Sequence, residues 1–296
     1  MGIKGLASFL KSKYPSVFVE IPDINIYAGM KFAIDTSIFM YKFANGRVDD
    51  DRFLMNFVYQ YNSLKALNIQ AIYIFDGEHV GKEQTHEKRA IAKERAVSSR
   101  DEKLVALNEE LSSHTTATNV LDIAAQIDKL ERSIISINKQ HYSTLKSLFD
   151  EHKIPYYTAI GEAEKGCAYL GAGGLVDVVV SEDYDCLPCG APILLKNLGS
   201  SKNSLIELRL NTLLEQLELS YVEFVDFCIL CGSDFNTSLP KIGPVSALAK
   251  IKKHRSIEGV LLATGHGANE ELMSRFNYQQ ARRNFMSGDY QLTSEF

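Results

Sequence analysis

At 296 residues and 45% hydrophobic content, the chain can bury a substantial core, which excludes a disordered protein or a small disulfide-stapled one. Its formal charge of -5, from 32 basic against 37 acidic residues, is not that of a protein held to nucleic acid by a basic average, although a site that collects cations must itself be acidic and so masks basic patches elsewhere. There is no apolar run of about 18 residues or more and no signal-peptide layout, and five cysteines, an odd number, argue against a disulfide framework, so an intracellular protein is expected.

Gly29-Met30-Lys31 signals a turn, and Phe32-Ala33-Ile34-Asp35 reads as a short buried strand ending in a carboxylate. The spacing of Phe53, Leu54, Phe57, Val58, Tyr61 and Leu64 predicts a helix over 51–67. Ala71-Ile72-Tyr73-Ile74-Phe75 then predicts a second strand, closed by Asp76-Gly77. Strand, helix, strand is the unit of a parallel sheet. Residues 82–150 contain no proline and predict two long helices separated near 112–119. The sheet resumes at Ile154-Pro155-Tyr156-Tyr157. A helix over 163–170 stops at 171–174, and the β-branched segment 175–180 predicts a strand running into Ser181-Glu182-Asp183-Tyr184-Asp185. From residue 210 the pattern is helical, with helices at 221–231 and from near Pro244 and a glycine-containing connection over 232–243.

Several strands thus finish in acids. In an open parallel sheet the carboxyl ends of the strands line one edge, so Asp35, Asp76 and the Asp183/Asp185 pair should converge on one crevice. Glu162 and Glu164 fall at a loop-to-helix junction where both can turn inward, Asp183 and Asp185 project to one side if that segment stays extended, and Asp234 can add a seventh carboxylate. Ionised carboxylates share a crevice only if cations neutralise them, and oxygen-only ligands point to Mg²⁺ or Mn²⁺. Any single Asp-Gly is better read as a solvated turn; the joint occurrence carries the inference. Cys186-Leu187-Pro188-Cys189 and Cys228-Ile229-Leu230-Cys231 have zinc-ligand spacing, but the second pair fits the core face of a helix, and buried thiols are the expectation.

Met1-Gly2-Ile3-Lys4-Gly5-Leu6, Ala33-Ile34-Asp35-Thr36-Ser37, Phe75-Asp76-Gly77, Glu162-Ala163-Glu164, Glu182-Asp183-Tyr184-Asp185-Cys186-Leu187, Cys228-Ile229-Leu230-Cys231-Gly232-Ser233-Asp234 and Ile242-Gly243-Pro244 together resemble the flap endonucleases in order and spacing, from residue 1 to about 260. The resemblance implies a PIN-like α/β 5′ nuclease, with a mostly parallel sheet flanked by helices. Residues 1–209 would form the core, including a helical arch at about 82–140. Residues 210–296 would form a helical region with a helix-two-turn-helix, packed on the core as one unit. It makes Asp35, Asp76, Glu162, Glu164, Asp183, Asp185 and Asp234 the ligands of two Mg²⁺ ions, with Mn²⁺ able to substitute. Lys82 and Arg89 become the basic pair at the scissile phosphate, against the alternative of surface charge on a solvated helix. Tyr41 becomes a stacking platform for the base beside the cut, although a core aromatic would serve as well.

The resemblance further implies K⁺ held by backbone carbonyls near Ser238, Leu239 and Ile242, and DNA contacts by Gly2, Lys241, Gly243, Lys250, Lys252 and Lys253. Val245 and Ser246 depart from it, since basic residues are usual there. The stretch from Asp76 to Glu162 is longer than usual. Gln291 lacks the residues of a sliding-clamp motif, so a clamp partner is not expected, as in a viral or otherwise minimal member. The implied activity is cleavage of DNA at 5′ flap/duplex junctions with 5′ to 3′ exonuclease activity, by a monomer, in the nucleus or another DNA-replication compartment. Two alternatives stand: a 5′ to 3′ exonuclease acting on nicked DNA or RNA, and a non-catalytic binder of DNA structures.

Overall fold

The structure, a computed structural model, describes residues 2–44, 51–77, 83–113, 117–131, 137–200, 203–286 and 292–293. In chain order, α1 (Leu6–Lys13) precedes β1 (Val19–Ile21) and β2 (Lys31–Asp35), and α2 (Thr36–Ala44) and α3 (Asp51–Ala66) lead to β3 (Gln70–Phe75). Three helices, α4 (Glu83–Ser113), α5 (Ala117–Glu131) and α6 (Lys139–His152), precede β4 (Tyr156–Ala159). Then come α7 (Ala163–Ala172), β5 (Val178–Val180), β6 (Ile193–Lys196) and β7 (Leu205–Arg209). The remainder is α8 (Leu210–Leu217), α9 (Tyr221–Cys231), α10 (Pro244–His254), α11 (Ile257–Thr264), α12 (Glu270–Phe276), α13 (Tyr278–Met286) and β8 (Leu292–Thr293).

One sheet runs in the order β1-β7-β6-β5-β2-β3-β4-β8. The five strands from β6 to β4 are mutually parallel. β7 and β8 flank them antiparallel. Phe32, Ala33 and Ile34 are fully buried on both faces of β2, as continuous apolar runs require at the centre of a covered parallel sheet. From β2 the chain moves outward to β3 and β4, then returns to place β5 and β6 on the other side, so the strand order reverses between β2 and β5. That reversal opens a crevice at the carboxyl ends of these two strands.

Several sequence expectations are corrected. The strand expected over 175–180 spans only Val178–Val180; at its entry Asp177 holds Lys31 of β2 twice, its carboxylate accepting the Lys31 amide and its own amide donating to the Lys31 carbonyl (2.8 Å each). β1, β6, β7 and β8 had no expectation. They are two to five residues long, too short for periodicity to register, and β8 interrupts the region read as wholly helical. The proline-free stretch holds three helices, not two, since Asn138 caps α6: its Oδ1 accepts from the His141 amide (3.1 Å) while His141 Nδ1 accepts from the Asn138 amide (3.0 Å).

The chain divides into two compact units, one of Met1–Ser37, Tyr61–Gly81 and Pro155–Phe296, the other of Ile38–Gln60 and Lys82–Ile154. The expected boundary at residue 209 is therefore not where the division falls: α8 to α13 belong with the sheet. In the second unit α4 and α5 pack side by side, and Phe57 sits edge-on between Phe43 and Phe149. Among the described residues no helix is long and apolar enough to cross a membrane.

A buried ion pair ties the late helices together. Asp226 of α9, 1% exposed, accepts both Nε and Nη2 of Arg282 on α13 (2.8 Å each) and the Ile257 amide that starts α11 (3.0 Å), and Arg282 also donates to Glu258 (2.9 Å). Burial pushes the Asp226 carboxyl up while the hydrogen bonds from Arg282 and Ile257 restrain it. Arg282→Met is expected to cost about 3 kcal/mol at pH 7.5 by stranding a buried charge. Without its guanidinium, Asp226 titrates further above its unfolded-chain value, so the folded state binds more protons and stability returns as pH falls toward that raised value. Urea unfolding at pH 7.5 and 5.5 checks this, and an equal penalty at both pH values would show that Asp226 does not carry the effect.

Candidate active site

The crevice is built from carboxylates fastened to one another through serine hydroxyls and backbone amides. Asp35, the last residue of β2, accepts the Ser37 amide on Oδ1 (3.2 Å) and the Ser181 hydroxyl on Oδ2 (3.0 Å). Ser37 Oγ in turn donates to Asp76 Oδ2, and the other oxygen of Asp76 accepts the Ala163 amide at the start of α7 (2.8 Å). On the opposite side Ser181 Oγ accepts the Asp183 amide (3.1 Å), Asp183 Oδ1 accepts the Asp185 amide (3.1 Å), and Asp185 Oδ1 accepts the Ile3 amide (2.9 Å). A continuous chain of hydrogen bonds thus runs from the N-terminal segment to α7 across the switch between β5 and β2. Each carboxylate is oriented by a neutral donor, which fixes geometry without cancelling its charge.

Two glycines let the segments approach. A Cβ on Gly77 would stand 1.8 Å from the Ala159 carbonyl oxygen, so only glycine lets the segment after β3 lie against the end of β4, where the Gly77 amide donates to the Gly161 carbonyl (2.7 Å). Gly2 (φ +84°) lies directly on Asp183 and Asp185.

Glu162 stands at the N-cap position of α7, with no capping hydrogen bond from its side chain, and Glu164 follows in the first turn, the junction expected from sequence. Burial pushes the Glu164 carboxyl well above its ordinary range, and the negative charges of Glu162, Asp35, Asp183 and Asp76, in that order, push it further. Five carboxylates are therefore in electrostatic reach of one another, an arrangement that a bound dication would relieve. Asp234 sits in a turn closed by the Ser233–Asn236 bridge, and the Gly232 carbonyl at its entry accepts the Lys4 amide (2.9 Å). The same N-terminal segment therefore meets Asp183, Asp185 and the Asp234 turn.

The donor set is all oxygen, which suits Mg²⁺ or Mn²⁺. Among the described residues no three His, Cys, Asp or Glu side chains group tightly enough to hold one ion directly. The cysteines form no thiolate cluster either. Cys186, Cys228 and Cys231 are buried, and Cys186 Sγ donates to the Glu164 carbonyl (3.8 Å).

The structure also revises the pair at 183 and 185. Their segment is not extended: Asp183 caps a 3-10 turn over Tyr184–Cys186, and the two carboxylates meet at Gly2 because that turn folds back. Tyr41, on α2, is 50% exposed and not a core aromatic. Lys82 lies outside the described residues, and Arg89 is placed in α4 with its side chain outside them.

In the turn before α10, Ser238 is half-buried, Leu239 and Ile242 are buried, and the Ile242 amide donates to the Leu239 carbonyl (3.2 Å). Lys241 and Gly243 are exposed, as is Lys253 on α10, where Lys250 is half-buried. Ser246 has a local task where a basic residue was expected: its hydroxyl accepts the Gly243 amide (3.2 Å) and caps α10. Lys252, assigned to DNA from sequence, is instead paired with Glu218 (2.6 Å), and Arg255 with Glu223 (3.0 Å). Such surface pairs are weak enough for a phosphate to displace.

Sequence reasoning missed Ser37, Ser181, the Ile3 amide and Lys165, whose Nζ stands 3.8 Å from Glu162 Oε2. A signal existed for Ser181 alone, a polar residue directly after the most apolar strand.

Comparison with known proteins shows the family and the fold. Residues 1–96 match the XPG N-terminal domain and residues 153–234 the XPG I-region. Flap endonuclease 1 of Bos taurus is 33% identical over 275 residues, covering 88% of this chain and 68% of the relative. The solved flap endonuclease-1 of Methanococcus jannaschii superposes with a TM-score of 0.62 at 24% identity over 93% of this chain and 84% of that one. The catalytic core of Rad2 in complex with DNA substrate shares the fold, with a TM-score of 0.65 at 18% identity over 98% of this chain and 88% of that one. Between the two family matches lies most of the segment that carries α4, α5 and α6.

Proposed function

The chain belongs to the flap endonuclease family of metal-dependent, structure-specific 5′ nucleases that act on DNA in replication and repair, and from that premise we propose that it cuts 5′ flaps at their junction with duplex using two Mg²⁺ ions held by its seven carboxylates. The observation that carries this reading is the hydrogen-bonded chain from Ile3 through Asp185, Asp183, Ser181, Asp35 and Ser37 to Asp76, at the point where the strand order reverses. Ions bound there would supply an activated water and stabilise the leaving oxygen of a phosphodiester.

The chain's own residues do the rest. Ser37 and Ser181 hold Asp35 and Asp76 at fixed angles, so the site needs little reorganisation when substrate arrives. By the family resemblance Lys82 and Arg89 are assigned the negative charge on the transferring phosphate, and Tyr41 the base beside the cut. The turn over 238–242 is assigned K⁺ and the duplex backbone, with Lys241, Gly243, Lys250 and Lys253 beside it and Lys252 after release from Glu218. The carboxylate set lies within one compact unit, and the reading takes the enzyme as a monomer acting in the nucleus or another site of DNA replication.

Incubation with a labelled double-flap DNA is expected to give one dominant cut within a nucleotide or so of the junction, dependent on Mg²⁺ and supported by Mn²⁺. The product ends are expected to be 5′-phosphate and 3′-hydroxyl. A flap blocked at its 5′ end separates this reading from an exonuclease acting on nicks or RNA, and absence of any Mg²⁺-dependent cleavage removes it.

A further inference from the structure

Lys165 lies one residue past Glu164 in α7, and the mechanism above gives it no task. Its ammonium stands 3.8 Å from Glu162 Oε2 and 4.0 Å from the centroid of the Phe235 ring, the residue that follows Asp234. Phe235 is itself fixed edge-on against Phe285, 5.4 Å between centroids at 87°. The Lys165 side chain is only 17% exposed and that of Glu162 14%. A lysine on an ordinary helix surface carries its charge out to water; this one is held between a carboxylate and the negative face of an aromatic ring. Positive charge is therefore a fixed part of the crevice, joining the α7 carboxylates to the turn that carries Asp234.

We infer that Lys165 is a built-in counter-cation, which partly neutralises the Glu162 side of the carboxylate cluster and weakens dication binding there. The inference rests on the metal-dependent reading proposed above. A dication that takes Glu162 must share it with an ammonium already in contact, and it also feels that ammonium's like charge in a partly desolvated setting. In exchange, the repulsion among Glu162, Glu164 and their neighbours is reduced before any ion binds. Site shape and ion affinity are thereby set in opposite directions by one side chain.

The test measures Mn²⁺ binding to the full chain without DNA, from the electron paramagnetic resonance signal of free aquated Mn²⁺. Lys165→Met keeps the length and the contact with the Phe235 ring but removes the charge, and it is expected to tighten Mn²⁺ binding about fivefold at one ion. Lys165→Gln, a second neutral variant should the first fold poorly, is expected to do the same, and Lys165→Arg to stay near the wild-type affinity. Loss of a merely structural lysine would weaken ion binding, so the direction of the change carries the test. Unchanged or weaker Mn²⁺ binding by both neutral variants overturns the inference alone, whereas a wild-type chain that binds no Mn²⁺ overturns the metal-dependent reading and the inference with it.

Discussion

Replacing Asp185 with alanine is expected to lower single-turnover cleavage of a flap substrate about a thousandfold while DNA affinity changes by no more than about threefold. Asp185 is buried in the crevice, where Asp183 and the Gly2–Ile3 segment meet it. Removing it strips charge from the place assigned to the ions and frees the Ile3 amide, while the basic residues assigned to the duplex are left in the chain. Asp185→Asn separates the two effects: it can keep the contact with Ile3 and loses only the charge, so its cleavage defect should approach that of alanine. Anisotropy binding in Ca²⁺ beside quench-flow in Mg²⁺ measures both quantities. Wild-type turnover by either variant would remove Asp185 from the mechanism.

Gly2→Ala should be nearly as damaging although it removes no functional atom. The added methyl would stand 2.5 Å from Asp185 Oδ1 and 2.6 Å from Asp183 Oδ1, on a residue whose φ of +84° already disfavours a side chain. Backbone strain there costs about 1 to 2 kcal/mol. The steric conflict must move either the N-terminal segment or both carboxylates, and a shift of roughly 1 Å in an active site can cost about a hundredfold in rate. Cleavage is therefore expected to fall about a hundredfold with a small change in melting temperature. If the variant cuts normally, the N-terminal segment does not set the position of Asp183 and Asp185.

Most of the carboxylate set was legible because each member is announced locally. Asp35 and Asp76 close apolar runs, and Glu162 and Glu164 follow Gly161 at the head of a helix. These patterns need no knowledge of what lies across the sheet. Asp183 and Asp185 were singled out from sequence but with the wrong local geometry: the 3-10 turn over Tyr184–Cys186 is held from outside by the Ile3 amide on Asp185, 182 residues away. The ion pair made by Lys252 was not legible for a similar cause. Its partner Glu218 lies 34 residues away, and spacing along one helix is blind to a carboxylate at the end of another.

Chain order and residue type alone determined that this is a parallel α/β protein whose strand ends carry acids, because burial demands continuous apolar runs and turns demand the residues that break them. Tertiary structure alone decided how those acids are held: which hydroxyl orients which carboxylate, why glycine must stand at positions 2 and 77, and that a lysine is locked against Glu162 and Phe235. Secondary structure is governed by neighbours a few residues apart, and its code is local. Orientation within the crevice depends on close contacts between residues up to 182 positions apart, and those distances exist only once the sheet has closed.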